Sequence, residues 1–216
     1  MATPLSERGA DRAGARRRVT SDEALDHAAA LIASDGVGAV TVSEIARRMG
    51  IKPPSLYKHF PSLHAIFDAL FARGGAELNA AVDTAVRDEP AGLHRLLAAS
   101  REVLRWAVAN PGHAQLMFWR PVPGFVPSAA AFAPSQGLWS TFRADLATAV
   151  AHGDLVPAAD SDDGLRMPTV VISGLASQQM ANDPDGGFAD GVFTRHTDDA
   201  LQMFVAHYSP DREDRP

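Results

Sequence analysis

Residues 41–60 read TVSEIARRMGIKPPSLYKHF, and the rest of the chain is best read outward from them. Thr41 followed by Glu44 has the spacing of a capping box, in which each side chain satisfies a free backbone N–H at a helix start. Val42, Ile45, Ala46 and Met49 then recur at three and four on one face, Arg47 and Arg48 fall on the other, and Gly50 supplies the stop. A second short helix is expected from Pro53 to His59, because two prolines suit a first helical turn, where their missing N–H groups would have had no partner. Two short helices joined by a tight glycine-containing turn read as a helix-turn-helix.

In the second helix Leu56 and Phe60 are four apart and can face a core. That leaves Ser55, Lys58 and His59 outward, Tyr57 at the edge and Lys52 just before the helix. Such donors, cations and an aromatic ring are what a helix lying in the major groove needs toward base edges and flanking phosphates. The same pattern also describes a plain solvated face, and the residue types alone leave both readings open.

The run from Leu25 to Leu70, and above all TVSEIARRMGIKPPSLYKHF, resembles the DNA-binding domain of the tetracycline-repressor (TetR) family of transcriptional regulators. The resemblance implies an all-α protein: an N-terminal three-helix helix-turn-helix DNA-binding domain, then a larger C-terminal helical ligand-binding and dimerisation domain. It implies a homodimer on double-stranded operator DNA, responsive to a small-molecule effector. Carried over by position, Thr41 and Ser43 stand where the family contacts backbone or base from the first helix of the motif. Lys52, Pro53, Pro54, Ser55, Tyr57, Lys58 and His59 stand where the recognition helix meets the groove. One position departs from the pattern: many members place a phosphate-gripping lysine where this chain has Leu63. His64, or the N–H groups behind Ser62, are the candidate replacements.

The 216 residues suffice for one large or two small domains with a sizeable core. With no cysteine there is no disulfide, thiolate metal site or cysteine nucleophile, which fits a reducing cytoplasm, the expected location. The N-terminus has the charge but lacks the apolar run of a signal peptide. The uncharged run from Pro121 to Phe142 is interrupted by four prolines, so it reads as buried loop and helix and no membrane contact is expected. Net charge is −6, yet residues 1–60 carry +2 and the remainder −8. Positive charge is thus polarised toward the helix-turn-helix.

The expected organisation is a flexible basic arm (1–19), a DNA-binding domain (20–61), an effector-binding and dimerisation domain (62–208) and a polar tail (209–216). Thr20 or Ser21 can cap a first helix that ends at Gly36 and Gly38. A fourth is expected from Ser62 to about Arg87, with Gly74–Gly75 either a bend or hinge in a linker or a break between two helices. Further helices are expected from Leu93 to Asn110, around Ala114 to Trp119, from Ala133 to Ala151, from Gly164 to Asn182 and from Thr194 to Tyr208. The proline-rich RPVPGFVPS segment, with Phe125 and Val126, reads as an ordered lid. The helix from Gly164 has one charge, at Arg166, and with the last helix is expected to form half of a four-helix dimer interface.

Large soft side chains concentrate between Trp106 and Phe142. An apolar effector pocket would draw on Trp106, Met117, Phe118, Phe125, Trp139 and Phe142, with Gln178 orienting the ligand. Arg101, Arg105, His113 and Gln115 are further polar candidates, and ordinary core is the alternative reading for the aromatic residues. No cofactor, catalytic group or metal site is expected. The Asp160 and Asp183 clusters resemble calcium loops but lack the glutamate at the twelfth position, where Val171 and Thr194 stand. The sequence thus reads as a ligand-responsive DNA-binding transcriptional regulator, a repressor released from a palindromic operator by a small hydrophobic effector. The alternative is a helical carrier protein with a degenerate helix-turn-helix.

Overall fold

A computed structural model describes residues 21–210. The basic arm at 1–19, Thr20 as a cap and most of the tail lie outside the described residues. Among those described, the regular structure is helical with no strand: α1 (residues 21–35), α2 (Val42–Arg48), α3 (Pro53–Tyr57), α4 (Leu63–Ala85), α5 (Leu93–Ala109), α6 (Pro111–Trp119), α7 (Ala129–Ala151), α8 (Asp162–Asn182) and α9 (Thr197–Tyr208). The expected all-α class holds.

Several boundaries differ from expectation for local reasons. Ser128 accepts from the Ala131 N–H at 3.1 Å, so α7 starts before Pro134, which is accommodated inside the helix. Ser161 caps α8 through the Gly164 N–H at 3.1 Å, two residues earlier than the apolar run suggested. Pro111 opens α6 at its first position. Thr194–His196 forms a separate 3-10 turn ahead of α9.

Two apolar cores share α4. The first gathers Leu25, Leu31, Ile32, Ile45, Leu56 and Phe60 from α1 to α3 against Ile66, Phe67, Leu70 and Phe71. The second packs Leu78 and Val82 with α5, α7, α8 and α9, including Leu104, Phe142, Ile172 and Phe204. Gly74 and Gly75 sit between the two sets. They do not break α4, which is one uninterrupted helix, and both are buried. A Cβ at Gly74 would stand 2.8 Å from Met117 Sδ and 2.9 Å from His113 Cδ2, and one at Gly75 would stand 3.2 Å from Pro134 Cβ. Their role here is close approach to α6 and α7.

The C-terminal helices are tied by an ion pair whose carboxylate is buried and whose guanidinium is partly exposed. Asp145 on α7 has no exposed surface, and it accepts from Arg95 Nε at 2.7 Å and from the Gly92 N–H at 3.1 Å. The Phe125 loop between α6 and α7 reaches the first core, where Phe125 is buried 5.9 Å, ring centre to ring centre, from Phe67.

Candidate nucleic-acid interface and internal cavity

The helix-turn-helix is built as its residues suggest. Thr41 Oγ1 accepts from the Glu44 N–H at 3.0 Å and starts α2. Gly50 takes φ +67°, which suits a residue without Cβ, and the Ile51 N–H closes the turn onto the Ala46 carbonyl at 2.9 Å. Ile45, Ala46, Leu56 and Phe60 fix both helices to the core. Outward of them, Thr41, Ser43, Lys52, Pro54, Tyr57 and Lys58 are exposed, while Pro53, Ser55 and His59 are half-buried. His59 Nδ1 lies 3.2 Å from Ser21 Oγ, which ties the end of the motif to the start of α1.

The capping box is only half formed. Glu44 Oε2 accepts from Arg47 Nε at 2.8 Å, and Oε1 accepts from Arg48 Nε at 3.0 Å. Charge-assisted bonds of this kind outweigh a bond to a neutral backbone donor. The Arg47 bond first, and the Arg48 bond next, hold the Glu44 carboxyl down at about 2. Arg48 also meets Asp35 at 3.3 Å. Much of the positive charge of α2 is therefore matched locally, and Lys52 and Lys58 are the exposed cations of α3 and its cap. The spacing Glu44, Arg47, Arg48 at i, i+3 and i+4 is the sequence signal for this pairing.

A cavity of about 250 Å³ lies between α4, α5, α6, α7 and α8. Phe71, Leu78, Val103, Met117, Phe118, Phe132, Leu138, Trp139, Phe142 and Ile172 give it an apolar wall. Asn79, Ser100, Ser135, Thr169 and Ser173 are its polar members, and no charged side chain lines it. Of the residues expected in a pocket, the fold brings Met117, Phe118, Trp139 and Phe142 together here. Three are placed elsewhere. Trp106 is buried in the second core, 6.1 Å from the His113 ring, and Phe125 is in the first core. Gln178 is exposed on α8, where its Oε1 accepts from Asn182 at 3.1 Å.

Both arginine candidates are also engaged away from the cavity. Arg101 pairs with Asp198 at 2.5 Å, and Arg105 bonds Glu102 and lies 4.5 Å over the Phe188 ring. It is the neighbour Gln179 that carries a buried role. Its Nε2 donates to Asp183, and its Oε1 accepts from Phe193 N–H at 3.0 Å, ordering the loop after α8. Asp183 is thereby bonded to Gln179 and to the Val192 N–H. Among the described residues no group of three or more histidine, aspartate or glutamate side chains is placed to hold a metal ion.

These two features can be set beside known proteins. The family model described as "Bacterial regulatory proteins, tetR family" matches residues 24–70. The model described as "Tetracyclin repressor-like, C-terminal domain" matches residues 96–208, more than half of the chain. The chain belongs to the TetR family.

As a TetR-family protein it is one of the bacterial regulatory proteins. Among curated relatives, the nucleoid occlusion factor SlmA of Edwardsiella ictaluri is 32% identical over 87 residues, 40% of this chain and 44% of that protein. The chain thus matches less than half the length of the curated relatives. A protein of unknown function from Rhodococcus sp. RHA1 shares the fold at a TM-score of 0.72 and 22% identity, over 88% of this chain and 96% of that one. FadR from Bacillus subtilis in complex with stearoyl-CoA gives 0.70 at 14% identity, over 85% and 97%. The ketosteroid transcriptional regulator KstR2 of Mycobacterium tuberculosis gives 0.64 at 23%, over 88% and 95%. At these identities the likeness establishes the TetR fold alone.

Proposed function

We propose that this chain is a homodimeric repressor, residing in the cytoplasm, that leaves a palindromic operator when a small hydrophobic effector enters the cavity. In this reading residues 20–61 bind DNA and residues 62–208 bind effector and dimerise. Thr41 and Ser43 from α2 and Lys52, Pro53, Pro54, Ser55, Tyr57, Lys58 and His59 at α3 meet the operator, with two α3 helices roughly 34 to 36 Å apart. Met117, Phe118, Trp139 and Phe142 meet the effector.

The observation that carries the reading is the course of α4. The same helix holds the helix-turn-helix core through Phe67 and Leu70 and the cavity wall through Leu78 and Asn79. A molecule that fits the cavity in only one arrangement of α4 shifts the DNA-binding equilibrium by its differential affinity. Dimerisation is assigned to α8 and α9, whose outer faces leave Val170 67% and Met203 73% exposed in the single chain.

The test is a gel shift with DNA upstream of the coding region, at two salt concentrations and with nonspecific competitor. Specific retention that weakens with salt is the expected result. Failure to retain that DNA, or any member of a random-sequence selection pool, would replace the regulator by a helical carrier with a degenerate helix-turn-helix. Leu63, packed against the first core where a phosphate-gripping cation would stand, is the observation on that side.

A further inference from the structure

None of the side chains that line the cavity is a lysine, arginine, histidine, aspartate or glutamate. Aromatic rings supply much of its wall: Phe71 from α4, Phe118 from α6, and Phe132, Trp139 and Phe142 from α7. Two of its polar members already bond the backbone. Ser100 Oγ donates to the Leu96 carbonyl at 2.8 Å, and Asn79 Nδ2 donates to the Pro134 carbonyl at 2.9 Å. An ion of either sign entering this space gives up its water without gaining an opposite charge, which is strongly disfavoured. The volume, about 250 Å³, lies just below the usual range for small-molecule sites of roughly 300 to 1,000 Å³, so the occupant is compact.

A charged head could escape that cost by staying at the opening. Phe132 and Trp139 line the cavity and are also exposed at the surface, which places them at its mouth. Beyond Trp139 runs a groove between α7 and α8, lined by Ser140, Arg143, Asp162, Leu165 and Arg166. Its arginines are already matched. Both Arg143 and Arg166 bond Asp162, and Arg166 also bonds Asp163 at 3.2 Å, two cations against two carboxylates. The Arg143 bond first of all holds the Asp162 carboxyl below its usual range, so Asp162 stays ionised. An anion at this mouth must compete with Asp162, and a cation must compete with the arginines.

We propose that the effector is an uncharged, compact apolar molecule of about biphenyl size, selected against anions and cations alike because neither wall nor mouth offers them a free counter-charge. This rests on reading the chain as an effector-responsive regulator. Aromatic and aliphatic contacts supply the affinity, and Asp162 is the specificity-determining residue at the mouth, since it occupies both arginines that an anionic head would otherwise reach.

The test is equilibrium dialysis of the full chain against three matched pairs: methyl biphenyl-4-carboxylate with biphenyl-4-carboxylate, 4-phenylbenzyl alcohol with 4-phenylbenzylammonium, and methyl decanoate with decanoate. In every pair that binds, the neutral member should bind about tenfold or more tightly than the charged one. A charged member that binds as tightly as its neutral partner overturns the proposal, and so does the absence of binding by any probe. Ser173→Phe and Ser135→Phe each add a ring to the cavity wall and should abolish binding of the neutral probes; binding that survives in a folded variant puts the site elsewhere and overturns the proposal. The wild-type pairs decide the matter even if neither variant folds. In Asp162→Asn at low salt, decanoate should gain about threefold or more on its ester. An unchanged ratio removes Asp162 as the selecting residue. A parallel gel shift separates the two layers: operator retention without the preference for neutral probes removes the ligand chemistry alone. Absent operator retention removes the regulator reading and leaves the binding data standing.

Discussion

Gly74 lies so close to Met117 that a Cβ built on the glycine would stand 2.8 Å from the methionine Sδ. Met117 lines the cavity and Gly74 separates the two cores along α4, so the contact joins the cavity wall to the helix that carries the DNA-binding core. Met117 can swing aside, but the His113 ring, 2.9 Å from the same point, is buried and has less freedom. Gly74→Ala should therefore destabilise. Overpacking costs about 1–3 kcal/mol, and the helix propensity regained is roughly 1 kcal/mol. A urea titration measures the difference, and a variant more stable than wild type would restore the hinge reading of this pair.

That pair shows where sequence reading stops. A glycine inside a helical pattern signals a break, a bend or a close approach equally, and only the neighbours brought by α6 and α7 distinguish them. The helix-turn-helix was legible because its signals are local: Thr41 caps, Gly50 turns, Pro53 starts, Leu56 anchors. The cavity was half legible. Clustered aromatic residues pointed to Met117, Phe118, Trp139 and Phe142, but Trp106 and Phe125 share that composition and are taken by the two cores. Asn79, Ser100 and Thr169 carry no local signal, since a short polar side chain in a helix looks the same in sequence whether it faces water or a cavity.

Phe125 should be needed for communication between the cavity and the DNA-binding half. Its loop joins α6 to α7, which supply Met117 and Phe132 to the cavity, and its ring sits in the first core against Phe67 and His64. Phe125→Ala removes the wedge and is expected to cost about 3 kcal/mol of stability, the low end for a buried aromatic ring. In the folded fraction the effector should still bind while releasing DNA less completely. Calorimetry and gel shift on the same sample separate these effects, and unchanged release would assign the loop a purely structural role.

Lys58→Ala should weaken operator binding across all sequences and lower the slope of log K against log salt by about 1, as loss of one phosphate contact does. Tyr57, 52% exposed, is better placed for a hydroxyl or ring contact in the groove. Tyr57→Phe should weaken binding without altering that slope. Circular dichroism should be unchanged in both, since neither side chain is in the core. Wild-type affinity in both variants would remove α3 as the recognition helix.

His113 makes stability depend on pH in a direction that can be worked out. The ring is 6% exposed, and its Nε2 is buried without a partner. Burial chiefly, and Arg73 next, hold its pKa down at about 4, against an ordinary 6.5, while Asp26 pulls weakly the other way. Arg73 is itself matched by Asp26 at 2.8 Å and Glu77 at 3.6 Å, so the charges near this ring come from α4 and α1. A group whose folded pKa lies below its unfolded one takes up its proton in the unfolded state first. The contribution of neutral His113 is therefore complete above about pH 7 and is lost as pH falls from 6.5 toward 4. Between pH 7 and pH 5 the loss should be about 2 kcal/mol. His113→Gln cannot take up that proton, so its stability should change with pH by that much less than wild type, whatever it loses in packing. Urea titrations of both proteins at the two pH values give the comparison, and equal pH dependence would mean that His113 is hydrated or charged within the fold.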